Sequence, residues 1–123
     1  MKTLFNKFKF VLLLFVLLSC NSKNEENQLI LPSIFSDHMV LQQKTDVVFW
    51  GRSRPNDKIT ITGSWGESNS VRADDIGEWD LKLLTPSAGG PFEVDVNSSY
   101  ETIKYEDVLV GEVWLASGQS NMV

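Results

Sequence analysis

Apolar and polar residues alternate in short runs from residue 29 onward, and this pattern predicts β-strands. The clearest run is 58–62, Lys-Ile-Thr-Ile-Thr, in which every second residue is apolar. Alternation with a period of two is typical of a strand that buries one face. The same alternation recurs at 78–83, 92–96 and 102–105. Two continuous apolar runs, 39–41 and 47–50, suit strands that are covered on both faces or strands in the core of a sandwich.

Turn-forming residues separate these runs. Gly, Pro, Asn, Asp and Ser cluster at 54–57, 66–69, 74–77 and 86–91. Short strands divided by such turns predict a mainly β fold, a small β-sandwich of the immunoglobulin-like or jelly-roll-like type. No segment after residue 28 has the pattern of a long amphipathic helix.

Five aromatic residues have two possible roles, because aromatic rings can fill a core or stack on a sugar: Trp50, Trp65, Trp79, Phe92 and Tyr105. Each buries a large area, so the core is the favoured place for the set. Trp79 alternates in phase with Leu81 and Leu83, which supports burial. Trp65 precedes a glycine, and we expect it to be the most exposed of the five.

Residues 1–19 have the pattern of a secretory signal peptide. They contain three Lys and no acid, and Phe10 to Leu18 is an unbroken apolar run. Nine helical residues span about 14 Å, less than half of the roughly 30 Å hydrocarbon core. The following Leu-Leu-Ser-Cys, ending at Cys20, resembles the lipobox of bacterial lipoproteins. An ordinary signal peptide that happens to contain a Cys is the alternative.

The lipobox resemblance implies cleavage before Cys20 and a lipid on that residue. The polar segment after it would then be a tether, and the chain would be anchored to a membrane through Cys20. We therefore expect an exported lipoprotein, periplasmic or attached at the outer membrane or cell surface.

Composition narrows the function classes. The chain is 42% hydrophobic and 22% charged, as in a folded domain. Its net charge of −5 becomes −8 when 1–19, with its three Lys, is removed, so no nucleic-acid partner is predicted. A single Cys excludes an intrachain disulfide and a Cys-based zinc site, and we predict no metal and no cofactor.

His38 is the only imidazole, and it follows Asp37. Adjacent residues on a strand point to opposite faces, so Asp37 is poorly placed to orient His38 as a catalytic triad would. A structural or surface role for His38 is the favoured interpretation.

The candidate chemistry lies at the end of the chain. The apolar run 108–116 leads into Ser117-Gly118-Gln119-Ser120-Asn121-Met122. A buried strand followed by a tight glycine turn is one way in which hydrolases present a nucleophilic Ser. Met122 stands where the Gly-x-Ser-x-Gly elbow has its last Gly, so that motif is not matched. Taken alone, Ser120 could equally cap a helix.

Three segments resemble the bacterial sialate O-acetylesterases, which are carbohydrate esterases of the SGNH-hydrolase group: 31–43, 88–91 and 107–122. The resemblance implies removal of O-acetyl groups from sialic acid or other glycans. It implies that Ser120 is the nucleophile and that its backbone amide contributes to the oxyanion hole. Gly118, Gln119 and Asn121 would shape the nucleophile turn.

The family's Asp-x-x-His, in which His takes the Ser proton, has no counterpart in the 123 residues. We therefore expect an N-terminal fragment that is close to inert alone, with four parts: signal peptide 1–19, lipidated tether 20–28, β-sandwich 29–107 and the start of a truncated SGNH domain at 108–123. Residues 108–115 should be exposed and loosely docked, because their sheet partners would be missing. The alternative is a non-catalytic, lipid-anchored sandwich that binds glycans or a protein partner.

Overall fold

The computed structural model describes residues 28–114 and forms two β-sheets in that range. The strands are β1 Val40–Gln42, β2 Asp46–Arg52, β3 Lys58–Gly63, β4 Ser68–Arg72, β5 Glu78–Leu84, β6 Gly89–Asn97 and β7 Thr102–Gly111. Five of them form one sheet in the order β1-β7-β6-β3-β4, and β2 pairs with β5 in an antiparallel ribbon. Residues 28–114 contain no helix, so the predicted mainly β fold is confirmed.

One hydrophobic core draws residues from both sheets. In β5 the alternation predicted from sequence is complete, since Trp79, Leu81 and Leu83 are buried and their neighbours face solvent. The larger sheet contributes a matching set of fully buried side chains: Ile59, Ile61, Val94, Val96 and Val108. A slip of one residue would turn such a set to solvent, so this pattern fixes the strand register.

The turn before β5 shows how local sequence directs the chain. Asp74 Oδ1 accepts hydrogen bonds from the backbone N–H groups of Ile76 and Glu78. Gly77 follows with φ +88°, and a Cβ there would lie 2.2 Å from the Ser53 carbonyl oxygen. The glycine therefore meets both a conformational and a spatial requirement.

β4 is a strand that the sequence pattern does not predict, because its first residues were assigned to a turn at 66–69. It lies at the edge of the large sheet and is mostly exposed, so it needs no apolar alternation. Its Ser68 and Ser70 hydroxyls instead pair with Thr62 and Thr60 of β3, at 3.1 and 2.8 Å.

β7 corrects part of the expectation that residues 108–115 are exposed and loosely docked, because 108–111 belong to this strand. It is continuous from Thr102 to Gly111 and lies between β6 and β1. Val108 and Val110 are 0% and 4% exposed. β1 and β6 supply the sheet partners that were expected to be missing. The predicted domain boundary at 107/108 falls inside this strand, and a separate domain at 108–123 stays a prediction.

The aromatic residues divide differently from the expectation. Trp79 and Tyr105 are buried, as expected for the core. Trp50 is 43% exposed because it alternates with the buried Phe49, so its assignment to the core was wrong. Trp65 is half-buried, since its Nε1 donates to the Leu84 carbonyl at 2.9 Å and its ring packs on a neighbouring Phe. Trp50 is therefore more exposed than Trp65.

Candidate functional site

The predicted site residues lie outside the described range: Cys20, Gly118, Gln119, Ser120 and Asn121. The structure describes the strand that precedes the predicted nucleophile turn in the sequence. β7 ends at Gly111, and three described residues follow it, ending at Trp114. Their contacts define how the chain leaves the sheet, and we call this place the exit.

The segments that resemble the esterases meet at this exit. β1 belongs to the segment 31–43, and it pairs in parallel with β7, placing Gln42 opposite Gly111. Gly89, from the segment 88–91, pairs with Val110 on the other side of β7. The segments 31–43 and 88–91 therefore flank the end of the strand that belongs to the third segment, 107–122.

Two glutamines hold the first residues after β7. Gln42 Nε2 donates to Glu112 Oε2 at 2.8 Å, and Gln43 Nε2 donates to Glu112 Oε1 at 2.5 Å. The acceptor oxygens of the same two amides receive the backbone N–H groups of Val113 and Ala88, at 2.8 and 2.9 Å. We call Gln42, Gln43 and Glu112 the exit clamp.

The exit clamp stabilises the ionised form of the Glu112 carboxylate. Hydrogen bonds from Gln42 and, next, from Gln43 lower the pKa of Glu112, because they stabilise its charged form, and slight desolvation opposes them. Glu112 is therefore charged at neutral pH and accepts both amide donors. Charge-assisted hydrogen bonds of this kind are stronger than neutral ones.

A buried hydroxyl supports the turn that carries the exit clamp. Thr85 is 4% exposed, and its Oγ1 lies 2.6 Å from the Gln42 carbonyl oxygen and 3.0 Å from that of Thr45. The same oxygen accepts the Thr45 N–H at 3.1 Å. The Gln43 N–H donates to the Gly111 carbonyl at 2.8 Å, which ties the turn to the end of β7.

His38 lies at the other end of the β1–β7 pair and faces solvent. Its Nδ1 is 2.6 Å from Asp107 Oδ2, and the two side chains are 76% and 54% exposed. Asp37 instead accepts the backbone N–H of Glu106 at 2.8 Å. The surface interpretation of His38 is confirmed, as is the poor placement of Asp37.

Asp107 is a partner that sequence reasoning missed, because 69 residues separate it from His38. An oriented imidazole can act as a base, but no Ser or Thr hydroxyl in the described part of the chain bonds to this ring. Four residues of strand, about 13 Å, separate Asp107 from the end of β7. The pair therefore lies away from the exit at the end of β7.

The exit clamp was also missed, although its residues lie within the segments that resemble the esterases. Long sequence separation is again the reason, since Gln42 and Glu112 are 70 residues apart. Within 28–114 no three His, Cys, Asp or Glu side chains are grouped as metal ligands. The same range has no helix long and apolar enough to cross a membrane.

Comparison with known proteins identifies relatives, although no family model matches the chain. Human sialate O-acetylesterase is 38% identical over 73% of this chain and 19% of its own length. The mouse sialate O-acetylesterase is 34% identical over 73% of this chain and 18% of its own length. The crystal structure of a carbohydrate acetylesterase from Xanthomonas citri matches with a TM-score of 0.70 and 39% identity, over 77% of this chain and 22% of that one.

The chain spans about a fifth of the length of these relatives. The sequence match and the structure match each cover about three quarters of the chain. Over this matched region, the chain belongs to the sialate O-acetylesterase family.

Proposed function

We propose that this chain supplies the β domain and the nucleophile strand of a carboxylic ester hydrolase that removes O-acetyl groups from sialic acid or other glycans. The observation that carries the proposal is the meeting of the three esterase-like segments around the end of β7. The names of the relatives, sialate O-acetylesterase and carbohydrate acetylesterase, point to an O-acetylated carbohydrate as the substrate class.

In the proposed reaction Ser120 Oγ attacks the acetyl carbonyl carbon. The ester C–O bond then breaks, the sugar oxygen leaves with a proton, and water hydrolyses the acetyl-Ser120 intermediate to acetate. The Ser120 backbone N–H stabilises the oxyanion. The general base comes from residues beyond the 123, since His38, the only imidazole here, lies at the far end of the β1–β7 pair.

The exit clamp supports this role through positioning. A nucleophile needs a rigid support, because small displacements from the reactive geometry slow the reaction strongly. The clamp holds Glu112 and the Val113 amide eight and seven residues before Ser120. The site would thus be attached to a sheet rather than to a loose loop.

An apolar patch beside the exit offers a surface for the rest of such an enzyme. Val40 and Leu109 pair across β1 and β7 and are exposed, and Val113 and Trp114 continue the exposed set. Contiguous exposed apolar residues mark interaction surfaces. We propose that the remainder of the esterase polypeptide packs on this patch.

The experiment that tests the esterase proposal compares two serines of the predicted turn. In the full in-frame product of the gene, Ser120→Ala should lower acetate release from O-acetylated sialic acid or acetylated xylo-oligosaccharides by roughly 10³-fold or more. Ser117→Ala is the matched control and should retain most activity. Activity that survives Ser120→Ala would disprove the role of Ser120.

The 123-residue chain alone should not hydrolyse p-nitrophenyl acetate faster than buffer. Turnover by this chain that disappears in Ser120→Ala would show that no external base is required. It would contradict that part of the proposal while supporting the nucleophile.

We also propose that the protein is an exported lipoprotein with its lipid on Cys20, as the lipobox-like sequence suggests. The wild-type chain should fractionate with membranes and incorporate labelled palmitate in a bacterial host. Cys20→Ser should lose the label and leave the membrane fraction, whereas the control Ser22→Ala should behave as wild type. Label retained by Cys20→Ser would refute the anchor.

A further inference from the structure

A groove on the β2–β5 ribbon, which contains none of the exit-clamp residues, combines an indole with several charged groups. We call it the ribbon groove. Its volume is about 610 Å³, within the roughly 300–1,000 Å³ of small-molecule sites. Its lining includes Trp50, Arg52, Glu78, Trp79 and Asp80. None of these residues has a role in the proposed ester hydrolysis.

Trp50 provides an ordered aromatic surface in the ribbon groove. The ring of Phe35 packs edge-on against the indole, with 4.9 Å between the ring centroids and 76° between the ring planes. This contact holds the exposed side chain in place. Phe35 is itself buried and stacks on Phe49. An indole fixed in this way presents a flat apolar surface with little entropy left to lose on binding.

Hydrogen-bonding groups stand beside the indole. The strand register pairs Trp50 with Asp80, and Arg52 with Glu78, so all four side chains lie on one face of the ribbon. Arg52 forms no ion pair with either carboxylate, since the two ion pairs in the described part of the chain lie elsewhere. An aromatic platform flanked by available carboxylate and guanidinium groups fits a pyranose, which has an apolar C–H face and an equator of hydroxyls.

Trp79 forms a buried wall behind the ribbon groove. It alternates with Glu78 and Asp80 along β5, so its side chain points to the core and is 4% exposed. Its Nε1 is buried without a hydrogen-bond partner in the described range, and a ligand in the ribbon groove would not reach it. The indole that a ligand can contact is therefore that of Trp50.

The lack of a side chain at Gly51 lets the chain pack closely against Trp79. It lies opposite Trp79 across the ribbon, and a Cβ there would be 3.0 Å from Trp79 Cζ2 and 2.2 Å from the Ile30 carbonyl oxygen. The indole edge that carries Cζ2 also carries Nε1. The missing side chain therefore lets the segment at Ile30 approach that edge of Trp79.

The charges select the class of sugar. Three carboxylates line the ribbon groove, from Asp74, Glu78 and Asp80, against the single guanidinium of Arg52. An anionic glycan would be repelled by this balance. We propose that the ribbon groove binds a neutral pyranose oligosaccharide, stacked on Trp50 and hydrogen-bonded to Arg52, Glu78 and Asp80.

The test measures binding only, so its outcome is independent of the esterase proposal. The full chain is purified in a detergent without a sugar headgroup and titrated calorimetrically with xylohexaose. Trp50→Ala should weaken binding roughly tenfold or more, as for truncation of a central aromatic contact. Trp114→Ala is the matched control, since Trp114 is 85% exposed and lies outside the ribbon groove. Asp80→Ala should also weaken binding.

Each result bears on the proposal. Binding that Trp50→Ala and Asp80→Ala weaken and Trp114→Ala leaves unchanged supports it, as does failure of a sialic acid trimer to compete. No binding by the folded wild type at millimolar sugar overturns it. Wild-type affinity in a folded Trp50→Ala, or stronger binding of the sialic acid trimer, also overturns it. If Trp50→Ala unfolds, Trp50→Tyr and Asp80→Ala decide: unchanged affinity in Asp80→Ala refutes the site.

Discussion

Thr85 offers the sharpest test of how the exit is held, because one buried hydroxyl joins two parts of the chain. Thr85→Val keeps the shape of the side chain and removes only the hydrogen-bonding atom. Its Oγ1 contacts the carbonyl oxygens of Gln42 and Thr45 and accepts the Thr45 N–H. A hydroxyl has one hydrogen, so it donates one bond at a time, and the shorter contact is to Gln42.

The expected loss follows from these contacts. The substitution removes one donated and one accepted hydrogen bond at a site that is 4% exposed. At about 1 kcal/mol net for each bond, the free energy of unfolding should fall by about 2 kcal/mol. For a domain of this size, that change lowers Tm by roughly 8–16 °C.

Urea and thermal unfolding followed by circular dichroism measure the effect. Thr62→Val is the matched control, because the Thr62 hydroxyl pairs with Ser68 on an exposed strand face and its removal should change stability by less than about 0.5 kcal/mol. Equal losses in the two variants would refute the view that the Thr85 hydroxyl supports the exit.

Two further predictions concern β7 and the exit clamp. Val108→Ala removes buried methyl groups and should cost about 2 kcal/mol, whereas Leu109→Ala, at an exposed position, should cost less than about 1 kcal/mol. Equal losses in urea unfolding would contradict a packed β7. The lowered pKa of Glu112 stabilises the fold above its ordinary value of 4.5, and this contribution is lost as pH falls through the lower folded-state value. Glu112→Gln should therefore flatten the acid decline of the urea midpoint between about pH 6 and pH 3, whereas Glu67→Gln should not. A wild-type acid decline in Glu112→Gln would refute the clamp.

Much of the fold could be predicted from sequence because alternation is a local property. The run 58–62 corresponds to β3, and the run 78–83 corresponds to β5, with the buried face as predicted. β4 was missed for the same reason. An exposed edge strand buries little, so its sequence carries no apolar period that could be read.

The candidate site was predicted only in part. The resemblance assigns Ser120 the role of nucleophile, and this stays a prediction, since Ser120 lies outside the described residues. No sequence pattern indicates that Gln42 and Gln43 hold Glu112, or that Asp107 is the partner of His38. Both contacts join residues about 70 positions apart, and no short-range pattern encodes them.

The sequence by itself determined which faces of the main strands are buried, because side chains alternate along any strand. It also determined the family resemblance, because each matching segment is contiguous. Only the tertiary structure decided that β1 and β7 are parallel neighbours, since such a pair needs a long connection between its strands. It also decided that Trp50 rather than Trp65 is the more exposed indole, because exposure depends on what covers each face. The physical distinction is between periodicity, which a chain carries locally, and proximity, which exists only after folding.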